Sequence, residues 1–372
     1  MPASNTLEDL SIDDAEDANN VTDESESDES PAPVRYSITS YGADPDVDGL
    51  VKRLRRNEIF VPPFQREYIW NLKEASRFIE SLLLGLPVPG VFLAKDDDTN
   101  KLLVIDGQQR LKTLQFFYDG VFNHKEGEGT QKIFKLLDVQ PHLEGLTYKT
   151  LPEKDRIDLD NAIIHATIVK QDSPADDDTS IYHIFERLNS GGRRLTHQEI
   201  RTATYHGELI NLIKRLNNLP EWRTIYGKPS PRLKDQELIL RFFALLHWSD
   251  RYERPMSEFL SKFTAKHRHI DEQTQEHWAH TFTSVVHVLF STLAGDAFRP
   301  ERSLNAAVFD SIMVGLARRL QTSPIEPLEL KAAYHLVLVN PPYQHATTRA
   351  TADKNNVEAR LGAATTAFTK KG

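Results

Sequence analysis

The spacing of apolar side chains divides the chain into stretches of different character. In residues 1–33 large apolar side chains are sparse, too few to offset the entropy of ordering the backbone, which predicts a disordered acidic tail. From residue 35 to about 120, short apolar runs alternate with amphipathic stretches, the punctuation of an α/β region. Asn71 with Glu74 three positions later predicts a capped helix start. Leu72, Ala75, Phe78, Ile79, Leu82 and Leu83 then line one face until Gly85 and Pro87 end it. Residues 90–94 and 102–105 read as short buried strands joined by a polar turn at 96–100, a hairpin. Asp106-Gly107 follows at once, and then Leu111, Leu114, Phe117 and Tyr118 at helical spacing up to Gly120. The predicted order is strand, tight turn, helix.

Beyond residue 120 the pattern predicts a further strand pair at 133–137 and 163–169, with a short helix starting near Pro152. After Asp172 helical spacing dominates. It runs over 179–188, breaks at Ser190-Gly191-Gly192, and restarts at Thr196, capped with Glu199. Further helices are predicted at 208–216, 235–247, 257–263, 276–293, 303–320 and 329–339, with Pro-rich breaks near 229–231 and 323–327. From about 346 the chain turns polar, although Val357, Leu361 and Ala364 have the spacing of a terminal helix. The expected organisation is a tail (1–33), a small α/β domain (34–172), a mainly helical domain (173–345) and a polar C-terminal tail (346–372), an α+β protein overall.

Composition changes this picture in two places. The net charge of −9 points away from nucleic acid, but 11 of the 54 acidic residues lie in residues 1–30, which hold no Lys or Arg. Residues 31–372 therefore carry 45 basic against 43 acidic groups, a near-neutral body that can present a basic face. There is no cysteine, which excludes disulfides, thiolate nucleophiles and Cys-ligated metals and fits a reducing compartment. No apolar run approaches the roughly 20 residues of a membrane span. A cytoplasmic protein without a membrane partner is expected.

Three segments carry candidate chemistry. Phe64-Gln65-Arg66-Glu67-Tyr68-Ile69-Trp70 follows two prolines that hold the chain extended, and it gathers side chains used to bond base edges, grip phosphate and stack on bases. Equally, Phe64, Tyr68 and Trp70 fit core aromatics and Arg66 a surface ion-pair partner. In Ile105-Asp106-Gly107-Gln108-Gln109-Arg110, a strand passes straight into a helix, which gathers backbone N–H groups and the positive end of the helix dipole at one spot suited to anions. Gly107 allows close backbone approach, Gln108 and Gln109 offer amides, and Arg110 can take two phosphate oxygens. Asp106 fits a base, a metal ligand or a helix cap. Around Asn189-Ser190-Gly191-Gly192, Arg187, Arg193 and Arg194 make either an ordinary helix break or a basic concavity. The sequence has no Walker-type loop, His-Asn nuclease arrangement, metal-binding Asp pair or serine nucleophile elbow. The histidine pairs His267/His269, His277/His280 and His183/His197 lack carboxylates at ligand spacing, so no metal site is expected.

Taken together, PPFQR-x-Y-x-W at 62–70, RFIESLLLGLP at 77–87, VIDGQQRLKTL at 104–114 and FERLNSGG-x-x-LT at 185–196 resemble the GmrSD-type restriction endonucleases. More specifically they resemble the N-terminal GmrS-like domain, long catalogued as a domain of unknown function; residues 235–242 and 255–260 are similar too. The resemblance spans about 37–345 and implies a ParB/sulfiredoxin-like core followed by a helical region, and a role in bacterial defence against foreign or modified DNA. It implies nucleotide binding and hydrolysis at Asp106 to Arg110, with Asp106, Gln108, Gln109 and Arg110 as the catalytic residues and Gly107 and Thr113 as nucleotide or DNA contacts, and with Mg2+ as a companion of the nucleoside triphosphate. It further implies sensing of modified DNA through Gln65, Arg66, Tyr68 and Trp70, with Arg187, Asn189, Gly191 and Gly192 as further nucleotide or DNA contacts. In the expected cleft Arg66 and Arg110 neutralise phosphate, Gln108 and Gln109 orient nucleotide or water, and Asp106 places water or a metal. The His-Asn nuclease module of the two-part relatives is not in this sequence, so cleavage would fall to a partner nuclease. The alternative is a non-catalytic DNA-binding or regulatory module; a homo-oligomer is compatible with either.

Overall fold

The computed structural model describes residues 21–22, 37–61, 68–96, 99–123, 131–173, 184 and 195–369. The chain separates into two compact units, residues 35–195 and residues 196–372 with 1–34. The first described segment, β1 (Val21–Thr22), pairs in parallel with β7 (Leu304–Asn305) of the second unit. Of the stretch expected to be a disordered tail, these two residues are the described part, and they are strand.

The first unit runs β2 (Ser37–Ala43), α1 (Val47–Arg55), β3 (Ile59–Phe60), α2 (Leu72–Leu83), β4 (Val91–Lys95), β5 (Leu102–Asp106), α3 (Gln108–Asp119), α4 (Glu153–Asp160) and β6 (Ala166–Ser173). Its mixed sheet has the order β2-β6-β4-β5-β3, with β6–β4 and β5–β3 parallel and the other neighbours antiparallel. The hairpin forms as the pattern predicts. Leu93 faces Val104, and the turn is closed by Asp96, whose N–H donates to the Lys101 carbonyl (2.9 Å) and whose carboxylate accepts from Thr99 N–H (2.9 Å). Both faces of β5 are apolar because both are buried: Leu102 and Val104 join the core beneath the helices, and Leu103 and Ile105 are buried on the opposite side. Into that core α1 sends Val47, Leu50, Val51 and Leu54, α2 sends Ala75, Phe78, Ile79 and Leu82, and α3 sends Leu111, Leu114, Phe117 and Tyr118.

The capping box of α2 is complete: the Asn71 side chain accepts from Lys73 and Glu74 N–H, and Glu74 accepts from Asn71 N–H at 2.8 Å. Two expectations need correction. Residues 133–137 are not a strand; Ile133 makes an isolated bridge to Val121, and the alternation instead sends Phe134 and Leu136 into the core, with Phe134 packed edge-on against Phe117 and Phe122. The strand expected at 163–169 begins at Ala166, where pairing with Val91 of β4 starts, and Ile163 bridges Asp46 instead.

The second unit contains α5 (His197–Thr204), α6 (Glu208–Asn217), α7 (Pro220–Tyr226), α8 (Lys234–Trp248), α9 (Met256–Lys266), α10 (Glu272–Leu293), α11 (Ala306–Thr322), α12 (Pro327–Leu338), α13 (Pro341–Thr348) and α14 (Lys354–Phe368). Thr196 and Glu199 cap α5 reciprocally, as their spacing predicts. The helix expected at 179–188 lies outside the described residues, apart from Ile184. α11 is apolar almost all round and sits at the centre of a core that includes Trp222, Phe242, Phe282 and Phe309. Within the polar stretch expected from 346, the terminal helix that Val357, Leu361 and Ala364 suggest does form: α14 buries these three and Phe368 against α11. Gly315 permits this approach, since a Cβ there would lie 2.9 Å from the Ala364 carbonyl carbon.

Candidate functional site

The site expected at the strand-to-helix junction is built by β5, a one-residue turn and α3. Asp106 ends the strand and Gly107 takes φ +98°, a conformation that side chains strain to adopt. A Cβ on Gly107 would lie 2.5 Å from Val91 Cγ1 and 3.3 Å from the Arg110 guanidinium, so the turn is packed on both sides. No side chain caps α3, whose first intrahelical bond runs from Leu111 N–H to the Gly107 carbonyl (3.0 Å). Asp106 therefore is not the helix cap its position suggests; it accepts from Arg110 Nη2 at 2.9 Å. The two ends of this ion pair differ in exposure: the Arg110 side chain is 15% accessible and that of Asp106 51%. Among the described residues Arg110 Nε has no hydrogen-bond partner.

The described end of the second expected segment, residues 68–70, meets the first. Gln109 Oε1 accepts from the backbone N–H of Ile69 (3.1 Å) and of Trp70 (3.4 Å), forty and thirty-nine positions away. One turn further along α3, Thr113 donates to the Gln109 carbonyl (2.7 Å), which leaves its oxygen to accept from the Tyr68 hydroxyl (2.7 Å). Tyr68 is 8% exposed and is held edge-on by Phe116 and Phe122. Burial pushes its phenol up to about 12, with the Thr113 bond opposing and the Glu74 charge adding, so Tyr68 is a neutral donor at physiological pH. Trp70 is half-buried and packs on Phe78 of α2.

Tyr68 and Thr113, expected as ligand contacts, are thus core groups that position α3. Gln109 ties the segment to the helix through its carbonyl oxygen. Gln108 is buried, at 9% exposure, while Asp106 faces solvent. Gln65, Arg66, Arg187, Asn189, Gly191 and Gly192 lie outside the described residues. Sequence reasoning missed Val91, which packs against the glycine turn from the neighbouring strand; its one signal was its place opposite the end of β5 in a hairpin. Among the described residues no group of three or more His, Cys, Asp or Glu side chains is arranged to hold a metal. His269 instead pairs with Glu208 (2.7 Å) and His267 packs on Phe263.

These observations define an α+β protein whose sheet delivers an uncapped helix N-terminus and one largely buried arginine to a glycine turn. Residues 47–206 match the family model of the GmrSD restriction endonuclease, N-terminal domain, and this stretch is a domain of that family. The match begins at the first residue of α1 and ends just beyond α5. No curated protein matches the chain. No described helix is long and apolar enough to cross a membrane.

Proposed function

We propose that this chain is a component of a bacterial restriction or anti-phage system, and that it binds and hydrolyses a nucleoside triphosphate at the turn formed by residues 106–110. The family domain supports the first part. The observation that carries the second is the tie from Gln109 to Ile69 and Trp70, which holds residues 69–70 of the other candidate segment at the first turn of α3. There the dipole of an α3 that no side chain caps and Arg110 with its unbonded Nε favour a phosphate group. Asp106 holds Arg110 until phosphate competes for the guanidinium, and then turns to the attacking water and takes its proton, as the water oxygen bonds to the terminal phosphorus and the nucleoside diphosphate leaves with the electrons of the broken P–O bond. Mg2+, if bound, would be held by the exposed Asp106 carboxylate together with the phosphates and would supply charge neutralisation there. In this reading the sheet is a ParB/sulfiredoxin-like core, DNA is the second ligand, modified DNA included, and a partner nuclease makes the cut.

The test is turnover of each nucleoside triphosphate with Mg2+, with and without modified and unmodified DNA. Wild type is expected to release phosphate, and Arg110→Ala and Asp106→Ala to lose it by about a hundredfold or more. No turnover by wild type, or turnover untouched by Arg110→Ala, overturns hydrolysis. A non-catalytic DNA-binding or regulatory module is the second reading, favoured by Asp106 and Arg110 being engaged with each other and the Gln109 oxygen with backbone. Binding without turnover would select it.

A further inference from the structure

We propose that His247, Trp248, Arg251 and His267 of the helical unit form a stacking platform for the unpaired bases of a nucleic-acid strand. Two short stacks of flat groups reach the surface here. In one, the ring of His247, an exposed residue, lies parallel to Trp278 at 4.6 Å and 13°. Trp278 is itself stacked on Phe243 at 5.1 Å and Phe263 at 5.9 Å. In the other, the exposed Arg251 guanidinium covers Trp248 at 4.9 Å. His267 fills the space beside them, edge-on to Trp248 at 5.1 Å and packed on Phe263 at 4.3 Å.

Each stack thus ends in an exposed planar group already backed by an indole, and the next layer such a group accepts is another planar π system. The charge pattern selects a polyanion. Neither Arg251 nor the exposed Lys266 has a carboxylate partner among the described residues; burial disfavours protonation of His267, and the charges of Lys266 and Arg251 add to that effect. Desolvation, its largest cause, and the neighbouring His267 and His277 likewise hold the His247 ring below its ordinary range, so near neutral pH it is an uncharged stacking surface. Neutral aromatic faces beside unpaired cations match successive bases and their phosphates, and every base has a π face, so the platform tolerates sequence.

The inference rests on the nucleic-acid part of the proposed function. Its test uses the full chain and fluorescence anisotropy with a labelled single-stranded DNA, the equivalent RNA, and the DNA duplex. His247→Ala and Arg251→Ala, both at exposed positions, are expected to weaken single-strand binding about tenfold and leave duplex binding unchanged. Trp248→Ala should do the same and Trp248→Phe restore it, with thermal unfolding checking each fold. The RNA arm shows which sugar the platform takes. Single-strand binding that survives all three alanine substitutions, or falls equally for duplex, overturns the platform alone. Failure of wild type to bind any of the three probes removes nucleic acid as a partner altogether.

Discussion

Tyr68 shows how one side chain can look like a ligand contact in sequence and serve as a strut in the fold. Its hydroxyl begins a short relay through Thr113 to the Gln109 carbonyl, and its ring is enclosed by Phe116 and Phe122. The phenol's pKa rises from 10.0 to about 12 in the fold, so the neutral form is the one stabilised. That stability is fully present below pH 10 and is lost as pH climbs toward about 12, because the unfolded phenol releases its proton first. Urea unfolding across this window should therefore show wild type losing on the order of 2 kcal/mol more than Tyr68→Phe. Parallel curves for the two proteins would mean that the phenol is not enclosed as described. The same burial means that Tyr68 cannot act as a general base at neutral pH.

At the level of elements, the strongest constraint in the helical unit is a buried charge cluster joining three helices. Asp310 of α11 accepts from Arg241 of α8 through two bonds (3.0 and 2.6 Å) and from Arg360 of α14 (3.0 Å), and all three side chains are at most 1% accessible. Burial works against the Arg360 charge, with Asp310 opposing that effect. Replacing Asp310 by Ala strands two guanidinium groups in the core. Chemical denaturation should register a loss of about 3–5 kcal/mol; a loss near zero would show that the cluster is hydrated or absent. This cluster also explains why α14 was hard to read. Val357, Leu361 and Ala364 had the spacing of a helix, but the polar composition around them also suggested a frayed end; the arginine in its middle is a buried partner, and Gly315, an unfavourable helix residue, is what lets α14 approach. The hairpin and the capped starts of α2 and α5 were legible because their signals are local: a turn between two apolar runs, or a cap and an acid three residues on. The helix α1 has the same kind of signal, with Asp46 accepting from Gly49 N–H and Val47, Leu50, Val51 and Leu54 on one face, and the reading passed over it. Residues 133–137 misled because alternation marks any extended segment that buries every second residue, whether or not it joins a sheet.

For the whole molecule, the α+β class could be read from the periodicity of apolar residues, and the family of residues 47–206 from the order of the motifs. The roles of the motif residues could not. Whether a glutamine in a helix's first turn faces a ligand or holds a neighbouring segment depends on a contact across forty positions, and nothing in composition distinguishes the two. The account turns on that contact: one anion site served by both segments. Hydrogen exchange measures it most directly, read at residues 68–70 and 107–111 with and without nucleoside triphosphate and Mg2+. Nucleotide should slow exchange in both segments together in wild type and in neither in Arg110→Ala. Protection confined to one segment, or unchanged by the loss of Arg110, would contradict a shared site.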